Sequence, residues 1–391
     1  MKIAFNAIRV SKKAGSGFDT FIINFLNEFA KYVYEHKELN IDFDIFTLYP
    51  QHFPQVKKEN IKQIKFPFVK PKKNISSTLQ QVSYEKTTKK NVSRSYAFAA
   101  DYFRLLWNQF VFPFMARKYD LVVALTEYDG IVFGKNQVVV IHSAVPFLFP
   151  HFPTKYRFYT YKLLPKIIKK CQKIITVSNI LKKEISKIFE VELQKIAVIY
   201  EGIDQEIFYP ADNQKIEMFK KQYQINGDYI LTVGHSHPIK NFSGVVTSFV
   251  IVQKNYKINL VVAGYIDKKI EIPDGVKYIG HVSNEQLYLL YSGAKCFVFP
   301  TLHEGFGLPP LEAMSCGCPV VVSNKGSLPE VCGDAAVYVD PYDPQSIAEG
   351  VLKVLTDKNL RDHLIKKGFE QVKKFSWENS VYKFIEMLKN L

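Results

Sequence analysis

Residues 299–332, FPTLHEGFGLPPLEAMSCGCPVVVSNKGSLPEVC, follow the apolar run Cys296-Phe297-Val298 and read as strand, Gly-rich loop, helix and second strand, the repeating unit of a parallel α/β sheet. Gly305 and Gly307 let the backbone turn sharply and approach a ligand without side-chain obstruction. Pro309 and Pro310 stand where a helix can begin, because a missing N–H costs nothing in the first turn. The free N–H groups of that turn form an anion site suited to a diphosphate. Glu304 falls at the corner between strand and loop and Glu312 within the first turns of the helix, so the two carboxylates flank the loop. That layout suits an activated sugar, with one carboxylate for the sugar and the other for a ribose. The blander alternative makes Glu312 a partner of the helix dipole and Glu304 a solvated loop acid, and the placement of glycine and proline argues against it.

This segment resembles the E-x7-E signature of retaining glycosyltransferase family 4, whose members have the two-domain GT-B fold. The resemblance extends over the pair Glu304 and Glu312, the GFGLPPLEAM core, the turn Cys316-Gly317-Cys318-Pro319, and Gly326-Ser327-Leu328-Pro329-Glu330. It implies an α/β fold of two Rossmann-like, doubly wound domains facing a cleft, with the last helix crossing back to the first domain. Gly305, Phe306, Gly307 and Leu308 are expected to line the donor site with the two glutamates.

Candidate strands in the first half are Ile3 to Ile8, Phe43 to Leu48, Leu121 to Leu125, Val138 to Ile141, Ile174 to Val177 and Ile196 to Tyr200. In the second half they are Tyr229 to Val233, Leu260 to Ala263, Tyr278 to Ile279, Cys296 to Phe299 and Val320 to Val322. The expected domains are residues 1–202 on the acceptor side, 203–374 on the nucleotide-sugar side, and a returning helix over 375–391 with Ser376 as its N-cap. Residues 51–95, polar and poorly periodic, read as a mobile basic insertion.

Charge is unevenly spread. Of a formal net +15, residues 51–120 hold +10, from 14 Lys and Arg against 4 acids. Such a region attracts nucleic acid, anionic lipid or a phosphorylated acceptor. No recognised nucleic-acid motif accompanies it, so nucleic acid is not an expected partner. No apolar stretch of about 18 residues reads as a transmembrane helix, and the short apolar N-terminus reads as a buried strand in place of a secretory signal. A cytoplasmic protein is expected, held at the inner face of the cell membrane by lysines such as Lys70, Lys72, Lys73, Lys89 and Lys90, with aromatic neighbours over 96–114 and 146–161, Trp107 among them, at the headgroup level. The alternative makes those aromatic residues the first domain's core. The five cysteines form no C-x-x-C pair and read as structural thiols.

Further candidates follow from the resemblance. Gly234, His235 and Lys240 lie in the loop after a strand, and Lys240 aligns with the family's phosphate-binding lysine, whereas His235 stands where many members have arginine. Gly15 and Gly17 look like the family's first Gly-rich loop, placed to approach donor phosphate or acceptor. His142 resembles a strand-end histidine that contacts the transferred sugar, followed by Ser143 where relatives often have aspartate; a core histidine is the competing reading. Gly280-His281-Val282 resembles a segment whose backbone reads the nucleobase, which places Val282 at the donor. Glu201 replaces a common asparagine and takes no assigned role, while Gly202 makes the interdomain turn. Asp42 and Asp44 form a D-x-D whose period of two places both on one polar strand face, at a solvated edge and not at a metal.

The implied activity is retaining transfer of a sugar, without metal or other cofactor, from a nucleotide-diphosphate donor to a glycan or polyprenyl-linked glycan in surface polysaccharide synthesis. Overall resemblance to bacterial mannosyltransferases points to GDP-mannose. Glu304, His142 and Lys240 are the expected catalytic residues. The competing classes are a non-catalytic sugar-nucleotide-binding protein, a basic nucleic-acid-binding protein, and a glucan phosphorylase, which would need a pyridoxal-phosphate lysine for which no motif is evident.

Overall fold

Continuous apolar runs, in place of alternating ones, mark strands covered on both faces, and the chain uses them to build two all-parallel sheets. The computed structural model describes residues 1–12, 16–65, 103–132, 134, 136–152, 156–234, 237–264 and 272–391. The first sheet comprises β1 (Lys2–Asn6), β2 (Asp42–Thr47), β3 (Ile61–Gln63), β4 (Leu121–Ala124), β5 (Gln137–Ile141), β6 (Lys173–Thr176) and β7 (Ile196–Val198), in the order β3-β2-β1-β4-β5-β6-β7. The second comprises β8 (Tyr229–Val233), β9 (Asn259–Ala263), β10 (Val276–Gly280), β11 (Cys296–Phe299), β12 (Val320–Ser323) and β13 (Ala336–Val339), in the order β10-β9-β8-β11-β12-β13.

In each sheet the chain winds outward from one central strand and then returns to that strand's other side. The reversal falls between β1 and β4 in the first sheet and between β8 and β11 in the second. Helices on either side diverge at such a reversal and leave a crevice outside the carboxyl ends of the strands. The residues after β8 and β11 are therefore placed at a crevice by topology alone.

The closing helix Trp377–Lys389, N-capped by Ser376, buries Trp377, Val381, Phe384, Ile385, Met387 and Leu388 in the first sheet's core, against the helix Gly17–Glu35. Gly202 passes directly beneath it: a Cβ there would sit 2.3 Å from the Trp377 amide nitrogen. All five cysteines are free and buried. Burial pushes their thiols up, Cys171 to about 11 and Cys296 to about 12, so they pack as small hydrophobes.

Three expectations need correction. The start of the expected 51–95 insertion is ordered: β3 pairs with β2, Ile45 opposite Ile61, while residues 66–95 lie outside the described residues. β13, an edge strand with the short mixed sequence AVYV, was not expected. Asp44 does not lie on a solvated edge. With β1 on one side of β2 and β3 on the other, Asp44 is buried, accepts a hydrogen bond from the Tyr119 hydroxyl and pairs with Lys62 Nζ at 3.0 Å. Asp42 alone is exposed, 3.2 Å from Lys2 Nζ.

Candidate active site

Two adjacent strand ends build the centre of the site. After β8, Gly234 turns with φ +76° and the chain enters the tight turn Pro238–Lys240. That turn is pinned by Asn241, whose side-chain amide donates to the carbonyls of Pro300 (3.0 Å) and Pro341 (2.6 Å), and by the Leu302 amide donating to the Ile239 carbonyl at 2.8 Å. The loop after β11 carries Glu304. Lys240 Nζ consequently reaches Glu304 Oε1 at 2.7 Å, with the ammonium also 5.1 Å from the Phe299 ring centroid. A cation and a carboxylate that satisfy each other in the free protein are both available when a ligand offers the lysine an anion and the glutamate a hydroxyl.

Gly307, at φ +106°, caps the helix Leu308–Ser315. Its first turn holds fewer donors than a helix start usually does. Pro309 and Pro310 lack N–H groups, so Gly307 and Leu308 are the donors left to face an anion. Glu312, one turn on, accepts a hydrogen bond from the Tyr291 hydroxyl at 3.1 Å. Burial pushes its carboxyl up to about 7, the Tyr291 bond working against the rise and the charge of Glu201 adding to it. Gly234, Val282, Asn284, Pro309 and Glu312 line a cleft of about 460 Å³, and Thr20, from the other half of the molecule, closes one side. That volume falls in the usual range of small-molecule sites.

On the first half, His142 meets the same loop through its backbone. Gly305 lies so close that an added Cβ would stand 1.8 Å from the His142 carbonyl oxygen. The imidazole is engaged elsewhere: Nε2 lies 3.0 Å from the Leu125 carbonyl, Nδ1 lies 3.2 Å from Glu201 Oε1, and Phe18 and Phe21 pack edge-on against the ring. A carbonyl and a carboxylate are acceptors, an arrangement that favours the protonated ring, in which both nitrogens donate. Burial alone would lower its pKa, yet the Glu201 hydrogen bond and the charges of Glu201 and Glu127 raise it.

Behind it sits a buried group of charges that no local sequence pattern marks. Glu127 accepts from the His142 amide at 3.4 Å, and Asp129 accepts from Thr126 and Asn108. Arg9 stacks 4.5 Å from the Tyr128 ring centroid, its charge favoured by Asp129 and Glu127 against the cost of burial. The one sequence signal for Glu201 was a carboxylate where the resemblance implies asparagine, in a chain with a histidine at a nearby strand end.

Gly17 opens the helix Gly17–Glu35 behind the capping box of Ser16 and Asp19, with open space where a Cβ would stand. Phe306 and Leu308 are buried beneath the loop. Gly15 and His235 lie outside the described residues.

The paired sheets, the cleft at their carboxyl ends and the returning helix define a GT-B protein. Over its whole length the chain superposes on sucrose-phosphate synthase from Thermosynechococcus elongatus (TM-score 0.68, 18% identity, 98% of that chain). It superposes equally on Anabaena HepE, solved with UDP and glucose (TM-score 0.69, 14% identity, 100% of that chain). Residues 213–371 match the family of glycosyl transferases group 1, and residues 75–207 match glycosyltransferase family 4. O-antigen chain mannosyltransferase B of Escherichia coli is 32% identical over 291 residues, 68% of this chain and 76% of that protein. O-antigen chain mannosyltransferase RfbU of Salmonella typhimurium is 31% identical over 56% of this chain and 61% of that protein. The chain belongs to this glycosyltransferase family and is a hexosyltransferase.

Proposed function

We propose that this enzyme transfers mannose from GDP-mannose, with retention of configuration and without a metal ion, to a glycan or polyprenyl-linked glycan acceptor in surface polysaccharide synthesis. The Lys240–Glu304 pair at the junction of β8 and β11 carries the reading. The donor diphosphate takes Lys240 and the Gly307 and Leu308 amides, which offset the charge that develops on the departing nucleotide. Glu304, released from the lysine, meets the transferred sugar. Glu312 accepts the ribose hydroxyls, and Val282 lies against the base. His142 acts from behind the loop, its ring held by Glu201. The acceptor names follow the O-antigen relatives.

Glu304→Gln is expected to lower kcat by about a hundredfold or more while the Kd for nucleoside diphosphate stays within about twofold, the pattern of a group used in the reaction and not in ground-state binding. Unchanged kcat rejects the role. The anomeric configuration of the first-formed product, read by NMR, tests retention. Activity that survives EDTA tests metal independence, and rescue of lost activity by Mn²⁺ or Mg²⁺ overturns it.

For location, we propose the cytoplasmic face of the membrane. Among the described residues no helix is long and apolar enough to cross a membrane, so attachment would be peripheral. The helical stretch 103–118 buries Trp107, expected at the headgroups but packed instead against Phe46 and Phe112, together with Asn108, Phe112 and Ala116, and leaves Leu106, Phe110, Val111, Phe114 and Met115 exposed, Phe110 by 70% and Phe114 by 67%. Arg117 lies over the Phe114 ring at 4.8 Å, with Lys118 beside it. An apolar ridge rimmed by cations fits an anionic lipid surface. The lysines between 70 and 90 expected to share this task lie outside the described residues.

A further inference from the structure

The segment Gly326-Ser327-Leu328-Pro329-Glu330 has no part in the donor contacts above, yet it joins the two halves of the molecule. Its first part clasps the loop that carries Glu304. Gly326, at φ +58°, leaves no room for a Cβ, which would stand 2.8 Å from the Glu304 backbone nitrogen and oxygen. The Ser327 amide donates to the Glu304 carbonyl at 3.2 Å, and the Ser327 hydroxyl lies 3.0 Å from that carbonyl and 2.6 Å from the carbonyl of Phe306.

Its last residue reaches into the other half. Glu330 Oε1 accepts from the Asn179 amide (2.7 Å), the Asn179 side chain (2.9 Å) and the Tyr200 hydroxyl (2.8 Å), while Oε2 accepts from the Ile180 amide (3.0 Å). A carboxylate from the second half thereby satisfies the first amides of the helix Asn179–Phe189, whose N-cap Ser178 donates from its hydroxyl to the Gly305 carbonyl at 2.7 Å. Four donors on one carboxylate is a geometry that a solvated surface acid does not need. Burial first, and then the bond to Glu330 and its charge, push the Tyr200 hydroxyl up to about 12, so it remains a donor across the neutral range.

We propose that Glu330 is a positioning residue: an interdomain latch that fixes the helix Asn179–Phe189 against the Gly326–Glu330 segment and so sets Glu304 in place for the transferred sugar. It acts through Ser327 and the loop and touches no substrate. The statement about catalysis rests on the role proposed for Glu304; the statement about the domains stands without it. The nucleotide cleft, lined mostly by the second half, is left intact when the latch is broken.

The test uses the full-length enzyme with Glu330→Ala, and Tyr200→Phe as a milder variant that removes one donor. Fluorescent labels at Lys31→Cys and Lys353→Cys, both exposed positions on opposite halves, report the distance between the domains; the native cysteines are buried. Expected for Glu330→Ala are a longer and broader distance distribution, kcat lower by about tenfold or more, and Kd for nucleoside diphosphate within about twofold. Tyr200→Phe is expected to move the same quantities less. In the double variant with Glu304→Gln, loss of the latch adds little to the loss already caused at Glu304, because both changes remove one positioned carboxylate. An unchanged distance distribution overturns the latch. Equal losses in kcat and nucleotide affinity, accompanied by a fall in Tm, overturn it in favour of a merely structural role. If Glu304→Gln leaves kcat unchanged, the reading of Glu304 fails, and the distance measurement still decides the latch.

Discussion

His142 and Glu201 lie 59 residues apart in sequence, yet each is nearly buried and faces the other at 3.2 Å. The pair makes stability depend on pH in a defined direction. The folded-state pKa of His142 is raised, so its contribution is fully present below the ordinary value of about 6.5 and is lost as pH rises through the folded value. Glu201→Gln removes the carboxylate, and the stability gap between wild type and variant is expected to be about 1.5–3 kcal/mol near pH 6 and to shrink in the alkaline range. Urea unfolding at several pH values measures it; a gap that does not vary with pH refutes an imidazolium. Glu312 gains charge over the range in which His142 loses it. With a carboxyl pushed up to about 7, it ionises across the neutral range, and the carboxylate is the better acceptor for ribose hydroxyls. Affinity for nucleoside diphosphate is expected to rise about tenfold from roughly pH 6 to roughly pH 8. Calorimetry should show that Glu312→Gln binds more weakly at the high end with a flatter pH profile; equal slopes in both proteins count against the role.

Among the elements, the loop Glu304–Gly307 is the tightest joint, and glycine is required at its centre by contact and not by φ. Gly305→Ala places a methyl group in the His142 carbonyl, so either the loop or the strand end must move. The expected result is destabilisation of about 1–3 kcal/mol with activity reduced well beyond what the lost stability explains, read as Tm and kcat together. Wild-type kcat in this variant would mean that the halves do not meet here during turnover. The same joint shows why some elements were legible in the sequence and others were not. β1, β4, β5, β8, β11 and β12 are apolar runs because both faces are covered, and Lys240, Glu304 and Glu312 lie in two strand–loop–helix units, each readable as a continuous segment. β3 and β13 are short edge strands whose mixed residues carry no period, and each is covered by a single neighbour, the strand just before it in the chain, so no continuous apolar run marks it. The group of Arg9, Glu127, Asp129, His142 and Glu201 assembles from the ends of β1, β4, β5 and β7. No local spacing announces it. The prolines of the Leu308–Ser315 helix were visible, but counting the amides they remove needed the helix start, which lies one residue before them.

At the scale of the whole molecule, the proposed attachment to a membrane rests on the exposed side chains of 103–118. Burying Phe110 and Phe114 in the headgroup region removes two large apolar surfaces from water at roughly 25 cal/mol per Å², and each nearby cation adds about 1 kcal/mol at an anionic surface. The helix packs its opposite face, Trp107 and Phe112, against Phe46, which ties the ridge to β2 and presents it as part of the folded domain. Neither contribution is large alone, so attachment should need both and should weaken as salt screens the charges. The wild-type protein is expected to sediment with vesicles containing phosphatidylglycerol at low salt and to remain in the supernatant with neutral vesicles. The variant Phe110→Ser, Phe114→Ser should lose binding while keeping its Tm, because both side chains already face water. The variant in which Lys70, Lys72, Lys73, Lys89 and Lys90 become glutamine separates the contribution of charge. Wild-type protein left in the supernatant with anionic vesicles at low salt would exclude attachment through this surface, and retention of binding by the double serine variant would move the contact away from the ridge.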